Sequence, residues 1–458
     1  MKKPTASRHP FTDHRFLFAA LTLGFACLVN ASAARSADLL EIYRLAQSSD
    51  AQYAAARATW SASQERLPQG LAGLLPSATV SASTQYNNRD ISSRDPTAPP
   101  SSGRFNSNAA SISVTQPVYR PQNFAAYEQA KTQVAQADVV FAQAAQDLIL
   151  RVAQAYFDVL LAQDTIVFAQ SQLTAIGRQL EQAKRNFEVG TATITDTHEA
   201  QSRYDITLAA EIAARNDLEI RKRQLELLIG RRAPGLAPLG RRFELRVPEP
   251  NDMERWVADA AQGNLQVRIS RASLDFSSQE IERNRAAHRP TLDAFATYSD
   301  SGSGSGVAQG GIGSDTSSRI VGLQLAFPIY QGGLVSSRVR EAVANEDRAR
   351  QELDSARRTA ELNARQTYLG VTSGIAQVRA LEAALVSSQS SFDSTRLGQE
   401  VGVRTQIDVL NAQQQLSQTR RDLAQTKYNY ILALLRLKSA AGQLTEQDVA
   451  LVNSWLDR

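Results

Sequence analysis

Cysteine is almost missing from this 458-residue chain, and the single one, Cys27, lies in an apolar stretch near the N-terminus. Histidine is nearly as scarce, with four copies. No phosphate loop, nucleophile elbow or His–acid–nucleophile arrangement stands out. His9 and His14 fall in the leader, and His198 and His288 have no second ligand at metal spacing. Metal, cofactor and catalytic centre are therefore not expected, and the chain does not read as an enzyme. After the leader no uninterrupted apolar run of 18 residues is visible, which argues against a helical membrane span. Proline is absent from residues 122–233 and 329–458, so nothing in those stretches forbids continuous helix.

The N-terminus sets the compartment. Lys2, Lys3, Arg8 and Arg15 form a basic head, Phe16 to Val29 run apolar, and Ala31-Ser32-Ala33 presents small residues for cleavage. Residues 1–33 read as a secretory signal peptide. Gly24 stands three before Cys27 where a lipoprotein signal carries Leu, so a lipid anchor is unsupported. The mature chain would then hold no cysteine, and packing alone must stabilise it. The signal carries four basic side chains and one acidic, so removing it reduces the net charge from +4 to about +1. That small residue of charge implies no nucleic acid partner.

What is present is a duplication. Phe187-Glu188-Val189-Gly190-Thr191-Ala192-Thr193-Ile194-Thr195-Asp196 answers Gln399-Glu400-Val401-Gly402-Val403-Arg404-Thr405-Gln406-Ile407-Asp408. Gln154 and Tyr156 match Gln366 and Tyr368, Gly230 matches Gly442, Pro117-Val118-Tyr119 matches Pro328-Ile329-Tyr330, and Pro76 matches Pro290. Such self-similarity marks one supersecondary unit used twice. We place the units at 34–245 and 246–458, the second with a short C-terminal segment. Each reads as helix, strand pair, long helix, helix: strands at about 77–119 and 290–328, helices at about 122–189, 195–230, 333–400 and 405–442.

The strands alternate. Ser77, Thr79, Ser81, Ser83 and Gln85 share one face, and Ala78, Val80, Ala82, Thr84 and Tyr86 the other. Val321, Leu323, Leu325 and Phe327 face away from Gly322 and Gln324, while Phe295 breaks the pattern by falling on a polar face. Alternation of this kind suits a barrel wall between water and lipid, and equally a soluble sheet with one buried face. Residues 87–106 and 299–317, rich in Ser, Gly, Pro and Asp, read as long loops.

The helical signal is stronger. From Phe124 to Phe187, steps of three and four meet apolar side chains at seventeen of nineteen positions. A helix of that span is roughly 100 Å long. The matching seam from Val339 is poorer. If the strands cross a membrane, four cannot close a barrel, and an open edge in lipid leaves peptide groups unpaired. Two copies would make eight strands and three would make twelve, and a polar lumen favours twelve.

With these residues in view, the chain resembles the TolC family of outer-membrane export channels. Phe187 to Asp196, continuing through Ala200-Gln201-Ser202-Arg203-Tyr204-Asp205, is similar to one tip region of that family. Val401 to Ala412 is similar to the other, and Lys427-Tyr428-Asn429-Tyr430 and Leu444-Thr445-Glu446-Gln447-Asp448 extend the likeness. The resemblance covers essentially all of the mature chain. It implies a mainly α protein with a β-barrel: a homotrimer, twelve-stranded in outer-membrane lipid, above a long periplasmic helical tunnel. It implies a periplasmic adaptor and an inner-membrane transporter of RND or ABC type as partners. Asp408 would form an acidic ring at the pore constriction, although as a helix cap it suits the local sequence as well. Asn411 stands where the compared family pattern carries a second Asp. Thr195, Asp196 and Arg404 would hold the entrance closed, with Gln399 where the pattern has Tyr. Val189-Gly190 and Val401-Gly402 would be adaptor-docking tips. A soluble periplasmic coiled-coil adaptor or scaffold without a pore is the alternative, sharing the helices but leaving the strand pairs without a role.

Overall fold

The computed structural model describes residues 36–457, apart from 93, 95, 96, 98, 99 and 305–312; the signal peptide lies outside them. The first half runs α1 (Leu39–Ser49), α2 (Ala51–Gln64), α3 (Arg66–Ala72), β1 (Ser77–Ile91), β2 (Ser101–Tyr119), α4 (Pro121–Glu188) and α5 (Ile194–Ile229). The second runs α6 (Met253–Gly263), α7 (Leu265–Arg285), β3 (Thr291–Ser303), β4 (Ser314–Ala326), α8 (Leu334–Glu400), α9 (Gln406–Ala440) and α10 (Glu446–Asn453).

α4 is 68 residues and α8 is 67, each about 100 Å long. Pro121 sits in the first turn of α4, where its missing N–H costs nothing. The apolar face of α4 does not meet one partner along its length. Near its start Phe141 stacks on Tyr53 and Trp60 of α2, with centroids 5.5 and 5.4 Å apart. At mid-length Leu148, Val152, Tyr156 and Val159 enter the main core. Towards its end Leu180 and Ala183 pack on Ala200 and Tyr204 of α5. α8 stays helical through the weaker seam. It also corrects an expectation: one stretch of it is as apolar as a membrane span, with mean hydropathy 1.2. At 67 residues it is about three times what a bilayer requires, and it packs on α6, α7 and α9.

The main core is a belt around the middle of the long helices. Tyr156, Phe157, Tyr430, Leu435, Leu437, Val452 and Trp455 meet there with α1. Each such side chain contributes about 1.5–3 kcal/mol through burial. The two tyrosine hydroxyls are satisfied. The Tyr156 hydroxyl donates to Ala237 O at 2.7 Å, and Tyr430 donates to Arg246 O at 2.8 Å while accepting from Arg246 N. Asn453 joins the chain ends, accepting from Leu40 N and donating to Asp38. α5 stops at Gly230 and α9 at the turn through Gly442, both left-handed, at φ 67° and 72°.

The strands form one antiparallel sheet in the order β1-β2-β3-β4, with the central β2–β3 pairing joining the two halves. Ala78, Val80 and Ala82 lie beside Val114, Ile112 and Ala110, then Ala296 and Tyr298, and Val321 and Arg319 follow opposite these two, with Leu323 across from Ala294. This face is exposed and mostly apolar, and the one cation among these residues, Arg319, lies over the Tyr298 ring at 5.8 Å. The opposite face carries Ser81 hydrogen-bonded to Ser111 at 2.7 Å and Ser113 to Thr297 at 3.2 Å. Phe295 does sit on that polar face, directly across from Gly322. A Cβ on Gly322 would lie 2.9 Å from the Phe295 ring, so the glycine is the space the ring fills. The expected loops are shorter than 87–106 and 299–317, because the ladders continue to Ile91↔Ser101 and Ser303↔Ser314. Polar cross-strand bonds such as Thr84–Asn108 at 2.7 Å and Asn87–Ser107 at 2.9 Å hold those ends together. Where sheet meets helix, Arg120 grips the buried Asp293 with two bonds of 2.7 and 2.6 Å.

Candidate functional site: the helix tips

Both long hairpins turn at glycine. Gly190 and Gly402 adopt φ of 76° and 81° between helices, a conformation that disfavours any side chain. Gly190 N donates to Phe187 O and Thr191 N to Asn186 O, closing the α4–α5 turn; Gly402 N to Gln399 O and Val403 N to Gly398 O close the other. Val189, Val401 and Val403 stand out from these turns, each more than two-thirds exposed.

The next residues are built identically. Thr193 and Thr405 cap α5 and α9, and each shares a capping box with the aspartate three residues on. Asp408 Oδ2 accepts from Thr405 N and Oγ1, both at 2.9 Å; Asp196 Oδ2 accepts from Thr193 N at 2.9 Å and Oγ1 at 2.8 Å. The cap is thus the threonine and Asp408 its reciprocating partner. The hydrogen bonds from Thr405 hold the Asp408 carboxyl below the usual carboxylate range, with Arg404 nearby acting in the same direction. Thr193 does the same for Asp196. Both are therefore ionised at neutral pH.

Within the protomer the other gating candidates are not joined. Asp196 and Arg404 form no salt bridge with each other, and among the described residues Arg404 has no ion pair. Its aliphatic stem lies against Gly398, where an added Cβ would come within 2.8 Å of it. Gln399 does not meet Thr195; its amide donates to Gln406 Oε1 across the turn. Asn411 has an unforeseen partner: Arg203 Nη1 of α5 donates to Asn411 Oδ1 of α9 at 3.1 Å, while Nη2 holds Glu199 at 3.2 Å. The Glu199–Arg203 spacing of four residues was visible as a helical ion pair, but the crossing to α9 required the tertiary fold.

Two hairpins of roughly 100 Å ending in glycine turns, joined to a sheet with an apolar face and free edges, define an outer-membrane channel subunit rather than a catalyst. A family model for outer membrane efflux proteins matches residues 42–231 and 256–443, and the chain belongs to that family. It is similar to Outer membrane protein TolC of Escherichia coli, 33% identical over 439 residues covering 93% of this chain and 86% of the relative. Proteases secretion protein PrtF of Dickeya chrysanthemi is 31% identical over 440 residues, covering 95% of each chain. Among solved structures, the Campylobacter jejuni CmeC outer membrane channel superposes with TM-score 0.77 at 16% identity, covering 92% of this chain and 90% of the other. The protein resides in the outer membrane of a Gram-negative bacterium, with most of its mass in the periplasm. It serves there as an exit duct for efflux and secretion.

Proposed function

We propose that three copies close their sheets into one twelve-stranded barrel and stack their helices into a tunnel, which opens to a periplasmic adaptor. The adaptor delivers substrates from an inner-membrane transporter of RND or ABC type, after export of the chain has removed residues 1–33. The observation that carries this is the open sheet: four strands with an apolar face and two unpaired outer edges have no stable place in lipid until copies complete the ring. At the entrance three Asp408 carboxylates form the constriction and attract cations. Asn411 adds no charge there. Arg404, unpaired inside its own protomer, reaches Asp196 and Thr195 of a neighbour and holds the entrance closed, with Gln399 supporting the turn. Val189-Gly190 and Val401-Gly402 dock the adaptor. Supporting this, a groove of about 720 Å³ beside the first tip is lined by Leu173, Gly177, Arg178, Glu181, Arg185 and Tyr204.

The test is single-channel recording in planar bilayers. Replacing Asp196 and Arg404 together with Ala is expected to raise conductance, and Asp408→Asn to lower the preference for cations. Wild-type conductance in the double variant would remove the latch. A purified mature chain that stays a monomer in water without detergent would remove the channel.

A further inference from the structure

The duplication is kept in the coordinates closely enough to say how two copies meet. Ser77 pairs with Thr115 in the first hairpin and Thr291 with Ala326 in the second. The two hairpins therefore share one register, at offsets of 214 (291 − 77) and 211 (326 − 115). Along the long helices the offset is 212 (342 − 130), where Ala130 and Ala342 are both buried. One contact between the units is made inside the chain, by β2 with β3 and α4 with α7. Its counterpart, β4 and α8 against β1 and the α2–α3 segment, cannot be made inside the chain, because β1 and β4 are the outer strands.

We infer that a second copy docks on the β4–α8 edge in the register of the contact between the two units inside the chain, so that Leu323 lies opposite the partner subunit's Thr84 and Glu341 meets the partner subunit's Arg66. This rests on the oligomeric barrel proposed above and specifies its joint. In the chain Ile112 faces Tyr298 and Val114 faces Ala296. Carried over by the offsets, Leu323 faces Thr84, Leu325 faces Ala82 and Val321 faces Tyr86. All of these lie on the apolar face, so the transferred register keeps lipid-facing side chains together. A slip of one residue would turn Leu323 and Val321 into the lumen.

The helices supply an independent check through charge. At the internal contact Gln129 of α4 donates to Glu280 of α7 at 2.6 Å. The residues at the same offsets are Glu341 and Arg66, which have opposite charge. Both are exposed in the protomer, and among the described residues neither has an ion pair. Two unpaired opposite charges thus fall at corresponding places on complementary edges, once per joint around the ring.

The mature chain contains no cysteine, which makes the experiment clean. Thr84→Cys with Leu323→Cys, oxidised mildly in the assembled outer membrane, is expected to give covalent dimers and trimers that reducing agent dissolves. Directly opposed Cβ atoms in a ladder lie about 5 Å apart, within reach of a disulfide after small adjustment. Thr84→Cys with Arg319→Cys, displaced by four residues or about 13 Å along the strand, is expected to stay monomeric on the gel. Glu341→Arg is expected to cost the heat resistance of the oligomer, and Arg66→Glu in the same chain to restore it. An oligomer that cross-links only through the displaced pair overturns the register. Charge-reversal losses that add in the double variant overturn the ion pair. A chain that never oligomerises sinks the barrel itself, and is told apart by the absence of any oligomer in the untreated wild type.

Discussion

Gly442 offers the sharpest test of the core belt. It ends α9 at φ 72°, and a Cβ there would lie 2.1 Å from the carbonyl oxygen of Gly263, whose own Cβ position is 2.7 Å from Ala441 O. The two backbones touch with no room for a methyl group. Gly442→Ala must adopt a left-handed conformation at about 1–2 kcal/mol and displace the α6–α7 junction by more than 1 Å, an overpacking that costs about 1–3 kcal/mol more. Two other glycines grade the effect. Gly230 is left-handed at the same place in the first unit, but its nearest neighbour is the Ser49 side chain at 3.1 Å. Gly402 is left-handed with nothing within 4 Å, so Ala there costs conformational strain alone. With unfolding entropy near 2 cal/mol/K per residue, 1 kcal/mol shifts a chain of this size by about 1 °C. We expect midpoints lowered by about 2–5 °C for Gly442→Ala, by about 1–2 °C for Gly402→Ala, and by an intermediate amount for Gly230→Ala, in thermal melts of the detergent-solubilised protein. Equal shifts in all three, or the largest at Gly402, would refute the claim that backbone contact dominates.

Further outcomes follow from buried charge and from the tip. Burial raises the Asp164 carboxyl above its ordinary range, opposed by the hydrogen bond from Tyr428 at 2.7 Å. An acid raised in this way stabilises the fold while protonated, and that contribution is lost as pH rises through its folded value. Asp164→Asn should therefore raise the melting midpoint at pH 7 and leave it unchanged below about pH 3.9, the unfolded value; a gain at acid pH alone would reverse the assignment. At the sheet–helix junction the two halves of the Arg120–Asp293 pair should differ. Arg120→Met leaves a carboxylate buried and should cost about 2–3 kcal/mol, whereas Asp293→Asn leaves a half-exposed guanidinium that reaches water and should cost about 1 kcal/mol. Chemical denaturation of the two variants decides it. At the entrance, Asn411→Asp should strengthen block by multivalent cations. The gain should be larger with Arg203→Gln, because Arg203 lies 3.1 Å from Asn411 and would neutralise a new carboxylate; unchanged block in both variants would discard the role.

Much of this architecture was legible without coordinates, wherever the cause is local. A three-and-four spacing of apolar residues with no proline specifies a long helix whatever covers it. Glycines at 190 and 402 announce turns because other residues resist positive φ. Alternation assigns the two faces of a strand, and two copies of one pattern at a near-constant offset reveal the duplication. Even the misfit of Phe295 was visible; its explanation was not, because Gly322 becomes its neighbour only through strand register. The same limit hid the longer ladders, where serines and asparagines that look like loop residues find cross-strand partners.

The tip shows the division most plainly. Thr193 and Thr405, each followed three residues later by aspartate, form capping boxes that close within one turn of chain, yet from sequence alone Asp408 itself reads as the cap, and the structure gives that role to Thr405. That Arg203 reaches Asn411, 208 residues away, and that Arg404 and Asp196 do not pair within the protomer, depended on how α5 and α9 lie against each other. Side-chain packing over such separations is set by the summed contacts of the whole belt, and no short window of sequence contains that sum.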